Sequence, residues 1–261
     1  MLDSLLTFDG SGLPLAGVRA LAQTGSTNAD ALMMAQLGAE DGWLVLAEEQ
    51  TQGRGRFERR WVTRAGTALA FSLLLRPTEA EQAYLERFVA LGALAVQRAL
   101  VELGLAAQIK WPNDVLVDGR KICGILVETL WLDGRAQAII LGVGVNVLAE
   151  SVPPAEELQF PATSVEDSLG QPVGRAALLR SILTHIFAWR ERMLEQGFWN
   201  AWQDSLAFRG QWVRVEGGQQ PIVGALEGLN ADGNLLLRLE DGSSAVVMVG
   251  DVHLRTFLDG R

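Results

Sequence analysis

The chain is short of several residue types, and each shortage excludes something. Cys123 is its one cysteine in 261 residues, so no internal disulfide can form and a reducing compartment fits. No stretch of about 18 uncharged apolar residues occurs, so nothing reads as a membrane span. The opening MLDSLLTFDG carries no basic leader before its short apolar run, which argues against a secretory signal. Positive charge is in deficit. The formal net charge of -9 argues against non-specific binding to nucleic acid, whose backbone attracts the opposite sign. These absences together lead to the expectation of a soluble cytoplasmic protein.

What is present suffices for a packed core. Hydrophobic residues make up 49% of the chain and charged residues 20%. The length allows one large domain, or a medium domain with a small appendage. TGSTNADALMMAQL reads as a helix start, with Ser26 or Thr27 as cap and Asp30 in the first turn. Trp43 to Glu49 and Thr67 to Pro77 read as buried strands, and Glu81 to Leu103 as a long helix stopped by Gly104. Strands then follow one another with Asp-Gly pairs at Asp118–Gly119 and Asp133–Gly134, the residues of tight hairpins. Residues 150–172 read as connections with short helical turns, and Gly174 to Phe208 as one or two amphipathic helices. After Gly210 the texture changes to short strands and Gly-rich turns, the pattern of a compact β-barrel. The expected class is α+β, a mainly antiparallel sheet flanked by helices. The expected division is a larger unit over 1–209 and a small barrel over 210–261.

Three clusters carry chemistry. In EEQTQGRGRFERRW, Arg54 and Arg56 flank Gly55, so guanidinium forks and backbone N–H groups can converge on an anion. Arg59 and Arg60 add charge, and Trp61 adds a flat apolar face. Read alone, the loop fits a solvated surface segment equally well. It is neither a Walker loop nor a dinucleotide fingerprint. KWPNDVLVDGRKICGILVE brings Lys110, Asn113, Asp114 and Lys121 to one hairpin, where an aspartate beside phosphates is a natural magnesium ligand. Read alone, it is a polar hairpin end. GVGVNV sets Asn146 after two glycines in a buried strand, where glycine permits close approach and a lone Asn needs a partner. Cys123, in a buried strand, reads as inert core, and His185 and His253 as structural.

The order and spacing of STN (Ser26–Asn28), EEQTQGRGR with its tryptophan, KWPNDVLVDGRKICGILVE and GVGVN resemble the biotin protein ligases, in the form that lacks an N-terminal DNA-binding domain. The resemblance runs from Ser26 to Asn146, and the segment from Gly210 resembles the family's small SH3-like C-terminal domain. It implies a class II synthetase-like catalytic fold. It also implies ATP-dependent conversion of biotin to biotinyl-AMP and transfer of biotin to a lysine of a biotin carboxyl carrier protein. Carried over residue by residue, Ser26, Thr27, Asn28 and Gln50 are to face biotin's ureido ring. Gly53, Arg54, Gly55 and Arg56 are to form the loop closing over biotin and its adenylate. Lys121 is to meet the biotin carboxylate. Arg59, Trp61, Lys110, Asn113 and Asn146 are to hold ATP, and Asp114 is to hold Mg2+. The reacting groups are then Lys121, Arg56 and Asp114. One position departs from the family loop: Glu58 stands where a second glycine is usual.

The residue inventory suits this chemistry. A carboxylate resists attack by an amine, and joining it to AMP supplies a leaving group. Negative charge builds on the α-phosphate, so arginines, a lysine and a metal belong there. A lipoate or octanoate ligase or transferase on the same fold is the alternative. A biotin-responsive transcription regulator would need a helix-turn-helix, for which the 25 residues before Ser26 are too few. The expected partners are therefore a carboxylase carrier domain and neither DNA nor a membrane. The family resemblance also leaves room for a homodimer.

Overall fold

A computed structural model describes residues 4–56, 59–158, 160–216, 220–248 and the backbone of 253–256. Its larger part is a seven-stranded sheet in the order β1-β2-β3-β7-β6-β5-β4. Strand β1 (Gly17–Thr24) crosses through helix α1 (Thr27–Gln36) to run parallel to β2 (Trp43–Gln50). Every other pairing is antiparallel, through β3 (Ala68–Leu75), β7 (Arg135–Asn146), β6 (Arg120–Leu132), β5 (Asp114–Val117) and β4 (Ala107–Lys110). The α+β class expected from the sequence is the class found.

The pattern of burial explains the layering. All eight residues of β3 are buried, as a strand covered on both faces must be. Helices α2 (Arg87–Glu102) and, after the short α3 (Val165–Leu169), α4 (Arg175–Glu191) cover one face, in a core containing Phe88, Leu91, Leu179 and Ile182. Among the described residues the helix on the other face is α1, which packs Ala31 and Ala35 on Val45, Leu74 and Ile140. Leaving one short helix there keeps part of that face open beside α1, and the cleft forms at this place. The two Asp-Gly hairpins are as expected: Asp118 and Gly119 have φ of 49° and 71°, Asp133 and Gly134 of 50° and 74°. Helix α2 ends before Gly104 at φ +89°.

Strand β1 was not anticipated. GVRALAQT is only half buried at this parallel edge and shows no clean alternation. The C-terminal part also differs from expectation. Its strands β8 (Trp212–Glu216), β9 (Ile222–Leu229), β10 (Leu235–Arg238), β11 (Ser244–Val247) and β12 (His253–Thr256) form an antiparallel sheet in the order β11-β10-β9-β8-β12. No pairing joins the outer strands β11 and β12 among the described residues, so this is an open sheet rather than the closed barrel.

One buried ion pair ties the framework together. Arg175 of α4 reaches Glu48 of β2 at 2.7 Å, and the same carboxylate accepts the Leu5 N–H at 2.6 Å. Burial pushes the Glu48 carboxyl up, but the Arg175 and Leu5 hydrogen bonds outweigh it and hold the group below its ordinary value. Cys123 is fully buried and burial raises its thiol, as an inert core residue requires.

Candidate active site

The cleft is built on strand ends around α1. Ser26 occupies the position before the first turn of α1 but caps nothing with its side chain. Thr27 and Asn28 turn inward and are almost fully buried. Thr27 donates both its backbone N–H and its hydroxyl to Gln50 Oε1, at 2.9 and 3.1 Å. Gln50 in turn donates to Thr63 at 3.3 Å. Ser72 of β3 lies 2.8 Å from Thr27 Oγ1 and 2.5 Å from Asn28 Oδ1. Asn28 Nδ2 donates to Glu128 at 2.7 Å and to the Leu126 carbonyl at 3.3 Å. The result is one continuous polar floor whose amide orientations are fixed by partners on both sides.

Three of these links were missed from sequence. Ser72 is the only polar residue in ALAFSLLL, and a hydroxyl in a strand buried on both faces was the available signal. Glu128 closes the apolar run GILV in the same way. Thr63 carried no signal of its own.

The glycines of β7 make room for this floor. A Cβ on Gly142 would stand 2.8 Å from Asn28 Cγ, and one on Gly144 would stand 2.7 Å from Trp61 Nε1. The close approach expected of GVGVNV is therefore real, and side chains make it. Trp61 lies across Gly144 and Gly124, and its buried indole N–H has no partner among the described residues. Asn146, 4% exposed, has the partner it needed: Nδ2 donates to the Thr163 carbonyl at 3.1 Å.

The arginine loop folds back as a small hairpin. Gly55 N donates to Arg59 O at 2.7 Å, and Trp61 N to Gly53 O at 2.9 Å. Arg54 pairs with Glu128 at 3.0 Å, the carboxylate that also holds Asn28, and Arg56 reaches Asn113 Oδ1 at 3.5 Å. Glu58 lies outside the described residues. At the β5–β6 hairpin Asp114 sits between two ammonium groups, Lys121 at 2.6 Å and Lys110 at 3.9 Å. Lys110 also stands 4.1 Å over the Phe160 ring.

These parts enclose two adjoining pockets of about 150 and 430 Å³. They share Arg59, Arg60, Trp61, Lys110, Asp114 and Lys121 as a common wall. Ser26, Thr27, Asn28, Gln50, Arg54, Gly55, Arg56 and Asn113 line the smaller one, and Asn146 only the larger. Gly53 lines neither; it is buried against the Trp61 carbonyl, where a side chain could not fit. Among the described residues no three His, Cys, Asp or Glu gather as a metal cage. Asp114 is the single carboxylate in the common wall.

This fold, with a basic cleft beside a buried polar floor, is the architecture of ligases that activate a small carboxylic acid. Residues 20–146 match the Biotin/lipoate A/B protein ligase family, and residues 209–255 match the Biotin protein ligase C terminal domain. The chain is 37% identical to the biotin–[acetyl-CoA-carboxylase] ligase of Paracoccus denitrificans, over 87% of this chain and 96% of the relative. It is 37% identical to that of Mycobacterium tuberculosis, over 94% and 92%. The biotin protein ligase from Aquifex aeolicus, in complex with biotin and ATP, superimposes with a TM-score of 0.79 at 28% identity, over 93% of this chain and 100% of that one. The chain belongs to the biotin protein ligase family.

Proposed function

We infer that the protein activates biotin with ATP to biotinyl-AMP and transfers biotin to a lysine of a carboxylase carrier. The observation that carries this reading is the continuity of the cleft. A buried floor of Thr27, Asn28 and Gln50 runs into a wall of Arg54, Arg56, Lys110 and Lys121. A ureido ring offers two N–H donors and one carbonyl, and a floor of fixed amides and hydroxyls suits it.

The smaller pocket is assigned to biotin and the larger to the nucleotide, so the carboxylate and the α-phosphate meet at the common wall. Lys121 is the cation for the biotin carboxylate. Arg56, Arg59 and Lys110 stand where charge grows on the α-phosphate. Trp61 and Asn146 complete the nucleotide side, with Asn113 at its border in the smaller pocket, and the Trp61 N–H, without a partner among the described residues, supports a ligand acceptor there. In the first step a carboxylate oxygen bonds to the α-phosphorus and pyrophosphate leaves. In the second a carrier amine bonds to the acyl carbon, AMP leaves, and the amine gives up a proton. The Gly53–Arg56 loop limits access of water to the anhydride.

Magnesium fits this donor set only as a companion of the nucleotide. One carboxylate held by two lysines is no cage, and Mg2+ takes most of its ligands from phosphates and water in such sites. Asp114 would hold it, and the ion would neutralise phosphate charge. We further assign residues 1–209 to catalysis and 210–261 to a separate C-terminal unit.

The test is incubation with biotin and MgATP, followed by mass spectrometry for biotinyl-AMP, with lipoate in parallel. Pyrophosphate release with lipoate and none with biotin would favour the lipoyl alternative and sink this one.

A further inference from the structure

The C-terminal sheet touches the catalytic hairpin at one buried hydrogen bond. Trp111 stands between Lys110 and the Asn113–Asp114 pair, lines the smaller pocket and is 2% exposed. Its indole N–H donates to the Gly233 carbonyl at 2.9 Å, 122 residues away. That carbonyl is presented by the tight turn between β9 and β10. Asn230 builds the turn, its side chain accepting the N–H groups of Asp232 and Asn234, each at 3.0 Å. Gly233 has φ +80°, and a Cβ there would stand 2.8 Å from the Trp202 ring. Gln203 accepts the Leu229 N–H at 2.9 Å. The turn is thus clamped from α5 (Gln196–Asp204). The chain leaving α5 then runs beside β4, where Ile109 N donates to Ser205 O at 2.7 Å and Ala207 N to Ile109 O at 2.8 Å.

We propose that Trp111 is a positioning residue through which the β9–β10 turn holds the Lys110–Asp114 hairpin in register for the nucleotide. The physical reason is the lever. Lys110 and Asp114 are joined to Trp111 within three residues, and beside β4 the described neighbours include the α5 tail, through Ser205 and Ala207, and this turn. A buried indole N–H must be satisfied, so the ring goes where Gly233 O is. Shifting the turn would shift both ends of the Lys110–Asp114–Lys121 group together, whereas the Thr27–Gln50 floor hangs on other strands. This inference rests on the biotin-ligase reading and on the nucleotide side assigned above.

The experiment compares wild type, Trp111→Phe, Asn230→Ala and the double variant in pyrophosphate release, with biotin binding measured separately. Trp111→Phe keeps an aromatic ring and removes the donor. Its KM for MgATP should rise roughly five- to thirty-fold, the range that orphaning a buried hydrogen-bond partner corresponds to. Biotin affinity should fall less than that for MgATP, because Trp111 and Lys121 line the biotin pocket but the Thr27–Gln50 floor is untouched. Asn230→Ala, far from either ligand, should raise the same KM, and the double variant should be no worse than Trp111→Phe because both act through one carbonyl. A lowered melting temperature with unchanged KM, or fully additive effects, would overturn the proposal. If Trp111→Phe does not fold, Asn230→Ala decides alone: a raised KM supports the coupling and an unchanged one overturns it. Wild type that forms no biotinyl-AMP at all would count against the functional reading instead, since the coupling is read only as a ratio to wild type.

Discussion

Replacing Gly142 by alanine puts a methyl group where Asn28 already is. The added carbon would stand 2.8 Å from Asn28 Cγ and 2.9 Å from Nδ2, against about 3.5–4.0 Å for ordinary contacts. Strand β7 cannot retreat, because Gly142 is paired with Ser72 on one side and Leu126 on the other. Asn28 therefore has to turn. It then gives up its bonds to Glu128 at 2.7 Å, Leu126 O at 3.3 Å and Ser72 at 2.5 Å. At roughly 1 kcal/mol net for each buried bond, the disturbed floor costs on the order of 2–3 kcal/mol. Falling wholly on ligand binding, that is roughly 30- to 150-fold in biotin affinity. Calorimetric titration with biotin, beside a thermal melt, reads both quantities. A variant that melts near wild type and binds biotin within threefold would refute the assignment of Asn28 to biotin. Gly144→Ala is the contrast, since its methyl meets Trp61 instead, at 2.7 Å from Nε1. It should weaken MgATP more than biotin. Equal loss of biotin binding in both variants would merge the two pockets into one.

Lys121→Ala should leave the fold intact and cut adenylate formation by about tenfold or more, because it removes the cation assigned to the biotin carboxylate, a charge-assisted contact worth about 1.4 kcal/mol or above; near-normal biotinyl-AMP from a folded variant would remove Lys121 from the site. Arg175→Leu should cost about 3 kcal/mol in denaturant unfolding at neutral pH by leaving Glu48 buried beside an apolar group. Glu48 sits below its ordinary value in the native protein, so its stabilisation is present above the unfolded value and lost as pH falls through the folded one. Without Arg175 burial dominates, and the deficit of the variant should shrink as pH falls below the carboxylate range; a deficit independent of pH would contradict the pairing. Lys110 and Lys121 are the only lysines in the chain, so an amine reagent reports on this hairpin almost alone. Lys121, 27% exposed, should react before Lys110 at 11%, and biotin with MgATP should slow it; labelling unchanged by ligand would place the ligands elsewhere.

Most of the fold was legible because its signals are local. The Asp-Gly pairs fixed two hairpins through their positive φ, and Gly104 marked the end of α2. The buried strands announced themselves by continuous apolar runs. What escaped was non-local. Strand β1 is defined by its parallel pairing to β2 across a helix, and nothing in GVRALAQT records that partner. Barrel closure likewise depends on strand tilt and length at the two ends of the module, which turn residues do not encode.

The site was legible to a different depth. At the hairpin the expected neighbours meet, with Asp114 and Lys121 2.6 Å apart across it. Their second layer was not visible, because Ser72, Glu128 and Trp111 look like interior residues until their partners are known. The clearest case is Glu128. It takes an amide proton from the floor and a guanidinium from the arginine loop on one oxygen, so a single carboxylate links the two. That pair is partly exposed, at 45% and 26%, and by itself worth at most about 1 kcal/mol. Its consequence is therefore orientation rather than strength. Arg54 rests against β6 at little cost to release, so an anion arriving beside Arg54 has only that weak pair to displace. In a chain of net charge -9, setting Arg59, Arg60, Lys110 and Lys121 with one aspartate in the common wall, beside Arg54 and Arg56 of the smaller pocket, makes that wall the local exception in sign. A field of this kind draws the nucleotide in and is screened over about 10 Å at 0.1 M salt, so MgATP affinity should fall with ionic strength more steeply than the affinity of the polar floor for its ring.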